Sequence, residues 1–236
     1  MIYKLQIKRQ REKNTEPYWQ CFEYICENDE TETIATVLSA VENGVVKTDI
    51  DGNILEPIAW ECSCLQKKCG SCAMIIDGKP RLACDFFLNR HKGKKPIVIE
   101  PLRKFPVVRD LIVDRSVMRE NLKKIQAWMA SEAVASNEKK EELMYDASRC
   151  LQCGCCLEVC PNFCGEDEFF GAAAAVPVSR IMNATDKKNC KDMKKNYNEH
   201  IYKGCGKSLA CRDICPAKIK TDRMLSSSNA LANRIL

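Results

Sequence analysis

Hydrophobic and polar positions alternate at the start of the chain. Within Ile2–Arg9, Tyr3, Leu5 and Ile7 share one face, the period-two pattern of a half-buried strand. The aromatic segment Tyr18–Ile25 is expected to pair with it as a hairpin. The period then changes. Ile34, Val37, Leu38 and Val41 fall at i, i+3, i+4 and i+7, the stripe of an amphipathic helix. Asp77-Gly78 lies between the stretches Ala73–Ile76 and Lys79–Ala83, which predicts a two-residue hairpin turn. Ile97–Ile99 reads as a last short strand, ended by Pro101. Together these predict a small sheet with a helix across it.

From about Phe105 the pattern turns helical. Val117, Met118, Leu122, Ile125, Trp128 and Met129 fall on one helical face, and few β-like runs follow. Pro101 and Pro106 bracket a basic connector, so the boundary is expected there, giving domains 1–104 and 105–236. A chain of 236 residues can carry two modest cores. Its longest run without a polar residue, which contains Gly171 to Val178 and starts at Phe169, is interrupted by Pro177. That is far short of the roughly 20 apolar residues of a membrane span.

Composition changes this picture at one point. Charged residues at 29% and hydrophobic ones at 45% are ordinary for a soluble domain. The net charge of +5 is mild, and the lysine cluster Lys187, Lys188, Lys191, Lys194 and Lys195 has no interleaved aromatics. A nucleic-acid platform would need them, so the cluster reads as a solvated face or a contact for anionic lipid or an acidic partner. The seventeen cysteines are the outlying number. The opening MIYKLQIKRQ is a strand pattern rather than a signal peptide, so a cytosol-side chain with metal-ligating thiols is expected rather than a disulfide scaffold.

Two stretches repeat one cysteine pattern. Cys150, Cys153, Cys156, Cys160 and Pro161 have the spacing C-x2-C-x2-C-x3-C-P, and it returns at an offset of 55 residues as Cys205, Ser208, Cys211, Cys215 and Pro216. In paired iron–sulfur sites of this type the fourth cysteine of each run binds the other cluster. Crossing the ligands gives one site of Cys150, Cys153, Cys156 and Cys215, suited to a 4Fe–4S cluster. The other has Cys160, Cys205 and Cys211, with Ser208 in place of a thiolate. A serine hydroxyl is far less acidic than a thiol, so a 3Fe–4S cluster with a vacant corner is expected, although a serine alkoxide on a fourth iron is the other reading. Pro161 and Pro216 should stop the chain continuing as helix after each run.

Upstream, Cys64, Cys69, Cys72 and Cys84 have the spacing C-x4-C-x2-C-x11-C, the plant-type 2Fe–2S arrangement. Each iron takes two thiolates, and the Asp77-Gly78 hairpin would return Cys84 toward Cys72. Gly70, beside Cys69, would let backbone amides approach the sulfurs. Cys62 competes with Cys64, and the C-x4-C spacing selects Cys64. Cys155 breaks the register of its run and should point elsewhere. Cys21, Cys26, Cys164 and Cys190 match no ligand spacing and read as small buried hydrophobes.

With three sites placed, the stretches CLQKKCGSCAMIIDGKPRLAC, KFPVVRDLIVDRS, CLQCGCCLEVCP and CGKSLACRDICP resemble the iron–sulfur subunit of succinate dehydrogenases and fumarate reductases over nearly the whole chain. The resemblance implies an α+β protein: a β-grasp 2Fe–2S ferredoxin domain, then an α-helical ferredoxin domain holding the 4Fe–4S and 3Fe–4S clusters. It implies an FAD-containing catalytic subunit and a membrane anchor or cytochrome b subunit as partners, with quinone nearby. Electrons would cross between flavin and quinone through the three clusters in turn, and no catalytic residue is expected in this chain. The place implied is the cytoplasmic face of the cytoplasmic membrane, peripheral through the complex. One departure concerns the tryptophan that many members carry after the first Cys-Pro, near the quinone. Here Asn162-Phe163-Cys164-Gly165 has none. The later Phe169–Ala173 segment resembles members whose anchor carries two haems, which implies haem b in the anchor.

Two other readings stay open at this point. One is the iron–sulfur subunit of a related flavoenzyme acting on glycolate, glycerol 3-phosphate or a thiol donor. The other is a zinc-stabilised interaction module, since C-x2-C pairs also hold zinc.

Overall fold

A computed structural model describes residues 1–93, 95–129, 132–133, 137–165, 168–185 and 190–233. They form two compact units, Met1–Asp114 and Arg115–Leu236.

In the first unit β1 (Ile2–Arg9) pairs antiparallel with β2 (Tyr18–Ile25), setting Leu5 opposite Phe22 and Tyr3 opposite Tyr24. The expected hairpin is therefore formed. β3 (Ala73–Ile76), β4 (Lys79–Leu82) and β5 (Ile97–Glu100) complete a sheet of order β2-β1-β5-β3-β4. Its central pair β1/β5 is parallel, with Leu5 opposite Ile97 and Ile7 opposite Ile99. β4 stops one residue before the expected Ala83, which opens a 3-10 turn over Ala83–Asp85. Helix α1 (Ile34–Glu42) begins at a reciprocal cap. Thr33 accepts from the Thr36 amide, and the Thr36 hydroxyl accepts from the Thr33 amide, which satisfies two otherwise orphaned donors. The stripe Ile34, Val37, Leu38 and Val41 is wholly inside, each side chain contributing roughly 1.5–3 kcal/mol by leaving water.

The alternation in β1 runs on past Ile7 and puts Arg9, a charged residue, at a buried position. Its guanidinium donates to both Asp110 carboxylate oxygens at 2.9 and 3.1 Å, to Gln20 at 2.8 Å and to the carbonyls of Glu56 and Pro57. Asp110 also accepts from the amides of Gln10 and Ala59. Asp110 (φ +46°) turns a further hairpin, β6 (Val107–Arg109) with β7 (Ile112–Val113). This strand pair lies in the stretch expected to be helical. Because Asp110 anchors it to β1, the units divide after Asp114 rather than near residue 104.

The second unit is helical: α2 (Ser116–Lys124), α3 (Glu138–Ser148), α4 (Cys155–Glu158), α5 (Gly171–Ala184), α6 (Lys191–Tyr197), α7 (Ala210–Asp213) and α8 (Thr221–Asn233), with a π-helical turn over Asn198–Tyr202. α2 ends earlier than its apolar face suggests. Ile125 caps it, Gln126 takes a left-handed φ of +59°, and Trp128 and Met129 are exposed rather than packed. α5 is the hub, its Ala174, Ala175, Val178, Ile181 and Met182 packing with Ile125, Phe170, Met193, Tyr197 and Ile201. At its start a Cβ on Gly171 (φ +63°) would lie 2.5 Å from Leu157, so glycine lets α5 approach α4. Lys191, Lys194 and Lys195 belong to α6, which turns Met193 and Tyr197 inward; Lys187 and Lys188 lie outside the described residues.

Of the four cysteines expected to be buried, Cys26 and Cys190 are, Cys21 is half-buried and Cys164 is exposed; Cys155 is buried too. Cys164 follows Phe163, which takes the interior position at that point.

The Arg9–Asp110 pair yields a stability prediction. Asp110→Ala leaves a buried guanidinium and two amides short of an acceptor, and should cost on the order of 3–5 kcal/mol. The cost is read as a fall in the urea or thermal midpoint of the first unit. Arg9→Met together with Asp110→Ala should cost less than the two single changes added.

Candidate iron–sulfur centres

In the first unit the ligand loop is built from left-handed backbone. Leu65, Lys67 and Gly70 have φ of +51°, +59° and +78°. Alternating handedness turns successive amides to one side, which makes a concavity for anions. The amides of Gln66 and Lys68 donate to Cys64 Sγ, and that of Lys67 to Cys84 Sγ, each at 3.3 Å. The Asp77-Gly78 turn has both φ values positive, +50° and +73°, as a tight hairpin requires. The Ala83 amide donates to the Cys72 carbonyl, and Cys72 Sγ lies 3.5 Å from Cys84 Sγ. Lys67 Nζ pairs with Asp85 at 2.7 Å, tying the loop to the turn that carries Cys84.

The four thiols thus come as two pairs. Cys72 stands with Cys84, and Cys69 accepts from the Cys64 amide. Hydrogen bonds from the Ser71 hydroxyl, then from the Cys64 and Ser71 amides, hold Cys69 down at about 6. Burial pushes Cys72 up to about 12. Cys62 is exposed, whereas Cys64 is half-buried and takes two amides. The geometry therefore favours Cys64, as the spacing does.

In the second unit the sequence repeat is also a backbone repeat. Gln152 and Gly154 are left-handed at φ +49° and +86°; Lys207 and Leu209, 55 positions on, are left-handed at +57° and +58°. Short helices then begin at Cys155 and Ala210, again 55 apart. Cys150, Cys153, Cys156 and Cys215 line one cavity. Cys160, Cys205, Ser208 and Cys211 line another. Cys215 thus stands with the first run and Cys160 with the second, the crossing that the spacing implied. Cys211 borders both cavities. Arg149 closes the first run onto the segment after Cys215, its guanidinium donating to the Ala217 carbonyl.

Burial pushes the Cys150, Cys156, Cys211 and Cys215 thiols upward, and charge on neighbouring sulfurs adds to it. Four donors oppose this. The Cys155 thiol donates to Cys153 and brings it to about 7. The Gln152 amide donates to Cys150 Sγ at 3.3 Å, and the Thr221 hydroxyl stands 3.4 Å from Cys211 Sγ. In the first unit Ser71 does the same for Cys69. Spacing rules could not find these residues. Only Cys155 left a signal, as a cysteine out of register.

This donor set fits iron–sulfur clusters. Crowded, half-buried thiols that resist ionisation call for a soft, positively charged group, and the inward amides suit cluster sulfurs. A single tetrahedral ion would gather its sulfurs within roughly 3.8 Å of one another. Among the described residues no three or more His, Cys, Asp or Glu converge in that way.

Comparison with known proteins agrees. Residues 4–120 match a family model described as a 2Fe-2S iron-sulfur cluster binding domain. The succinate dehydrogenase iron-sulfur subunit of Bacillus subtilis is 34% identical, over 97% of this chain and 90% of its own length. The chain belongs to the succinate dehydrogenase and fumarate reductase iron–sulfur subunit family. Fumarate reductase iron-sulfur subunits of Haemophilus influenzae and Wolinella succinogenes are 31% and 28% identical, over 83% and 87% of this chain and 85% of theirs. A chain of the Mycobacterium smegmatis Sdh1 complex in the apo form superposes with a TM-score of 0.78 at 21% identity, covering 99% of this chain and 96% of its own. That likeness supports the fold of this iron–sulfur subunit, a β-grasp unit followed by a helical ferredoxin unit.

The two thiol environments in the first unit predict contrasting reactivity in the cluster-free subunit. At pH 7 Cys69 is mostly thiolate and Cys72 is thiol, so iodoacetamide should label Cys69 first, read by mass spectrometry. The depressed group loses its charge as pH falls through about 6, so its labelling rate should drop below that pH. Ser71→Ala should move this drop upward.

Proposed function

We propose that this chain is the electron relay of a succinate:quinone or quinol:fumarate oxidoreductase, standing between an FAD-containing catalytic subunit and a membrane anchor or cytochrome subunit. The observation that carries the reading is the crossing of the two cysteine runs into two separate cavities, beside a third set of paired thiols in the first unit.

Cys64, Cys69, Cys72 and Cys84 would hold a 2Fe–2S cluster. Cys150, Cys153, Cys156 and Cys215 would hold a 4Fe–4S cluster, and Cys160, Cys205 and Cys211 a 3Fe–4S cluster with Ser208 at its open corner. Bound, these groups supply one-electron centres that accept and pass electrons without making or breaking substrate bonds. The chain's own residues do three things for them. Cysteine thiolates hold them, peptide amides and the Ser71, Gln152 and Thr221 side chains supply hydrogen-bond donors to sulfur, and apolar side chains exclude water. Ala172, Val176 and Ile219 do this in one cavity, and Phe169, Ile201 and Leu225 in the other.

Among the described residues no helix is long and apolar enough to cross a membrane. On this reading the subunit is peripheral, at the cytoplasmic face, and reaches the membrane through its anchor. The family resemblance in Phe169–Ala173 supports an anchor with haem b, and the absence of tryptophan in Asn162–Gly165 counts against direct quinone contact from this subunit, with quinone nearby.

Two measurements test the proposal. The purified complex should contain iron and acid-labile sulfide in the amounts of three clusters; zinc without sulfide would overturn it. Oxidised wild-type complex should show a 3Fe–4S EPR signal, and Ser208→Cys should abolish it by completing a four-iron site. A wild type that never shows that signal would refute the three-iron assignment.

A further inference from the structure

The Gln152 side chain sits where two acceptors meet. Its amide nitrogen donates to Cys150 Sγ at 3.3 Å and to the Ala173 carbonyl at 3.0 Å. A carbonyl only accepts, and so does Cys150 as a ligating thiolate, so the nitrogen end of the amide faces both.

The Ala173 carbonyl is available for a specific reason. In an α-helix it would accept from the amide of residue 177, and residue 177 is Pro177, inside α5. Proline has no N–H, and its ring also crowds the carbonyl four residues back. A buried carbonyl left unpaired is costly, and the side chain that pairs it comes from the first cysteine run. Gln152, Ala173 and the four thiols Cys150, Cys153, Cys156 and Cys215 all line one cavity. The helix interruption and the thiol contact are therefore two ends of one side chain. The matching position of the second run is occupied by Lys207, whose side chain is exposed, so the device belongs to the first run alone.

We infer that Gln152, anchored on the carbonyl that Pro177 frees, is a positioning residue that raises the reduction potential of the four-iron centre by donating a hydrogen bond to the Cys150 sulfur. This rests on the cluster assignment proposed above. A donor to a ligand sulfur stabilises the more negative, reduced form over the oxidised one. The reduction adds one electron, supplied in a titration by a low-potential chemical reductant. No proton moves and no bond is made or broken.

The test is an EPR-monitored redox titration of the purified complex. Gln152→Met keeps the length of the side chain and removes the donor. It should shift the reduction equilibrium of the four-iron centre toward oxidised by about tenfold, about 59 mV for a one-electron couple. Gln152→Leu serves if Gln152→Met loads cluster poorly. Pro177→Ala restores an amide that competes for the Ala173 carbonyl, and should shift the potential in the same direction by less. The double variant should match Gln152→Met alone, because both changes act through one contact. Lys207→Met should leave this potential where it was.

An unchanged potential in Gln152→Met with the cluster intact overturns the inference. No shift in Pro177→Ala, or a double variant equal to the sum of two separate shifts, overturns the anchoring by Pro177. Wild-type complex with no four-iron signal on reduction overturns the cluster assignment instead, and the inference with it.

Discussion

Thiolates resist burial and repel one another, and the second unit is arranged around that difficulty. Cys156 feels Cys153, Cys150, Cys211 and Cys215 at once, on top of its own desolvation. Nothing in an apolar core would gather these groups. On the proposed cluster assignment a cation stands among them with hydrogen-bond donors behind them, which would make folding and cluster binding one process. The secondary structure reflects this. α4 and α7 have four residues each, far too few to persist on their own. α5 packs against α4 at Gly171, and Cys156 of α4 and Cys211 of α7 line cavities shared with thiols of the other run.

The first unit solves the opposite problem. Its sheet and α1 bury a conventional apolar core, and the ligand loop hangs from a hairpin at one side of that sheet. The polar centre is Arg9 with Asp110, a guanidinium and a carboxylate with every strong hydrogen-bonding direction used. Such a pair adds little net stability over apolar residues but strongly penalises misplacement. Here it binds the start of the chain to the β6–β7 hairpin, so the unit is closed by residues a hundred positions apart. On the proposed assignment one unit would keep its shape without metal, whereas the other would draw much of its shape from it.

What was legible in the sequence follows from this contrast. β1, β2, α1 and the Asp77-Gly78 hairpin were legible because a one-sided core imposes clean periods of two and 3.6. The cysteine runs were legible because their short spacings repeat, and the structure gathers them along common cavities. The β6–β7 pair was not, since five residues of strand around Asp110 leave too little alternation to read. Trp128 and Met129 continue an apolar stripe that Gln126 ends by turning left-handed, and glutamine carries no breaker signal. Gln152 was invisible for a different reason. Its role depends on a carbonyl freed by a proline in another helix, and such a relation has no local pattern. Cys155, out of register with its run, donates its thiol to Cys153, a relation the spacing did not suggest.

The donors around the sulfurs of the first unit are largely peptide N–H groups, of Gln66, Lys67 and Lys68, and the two runs of the second unit share handedness where their letters differ. Gly154 matches Leu209, and Gln152 matches Lys207, with positive φ throughout. The pattern is thus written in the backbone and is largely indifferent to which side chain it carries. Most replacements between the cysteines would leave such amides in place. Proline is the exception, because it deletes the N–H and confines φ near −65°. Apart from the few side chains that donate to sulfur, such as Gln152, Ser71 and Cys155, proline is therefore the residue these loops should exclude.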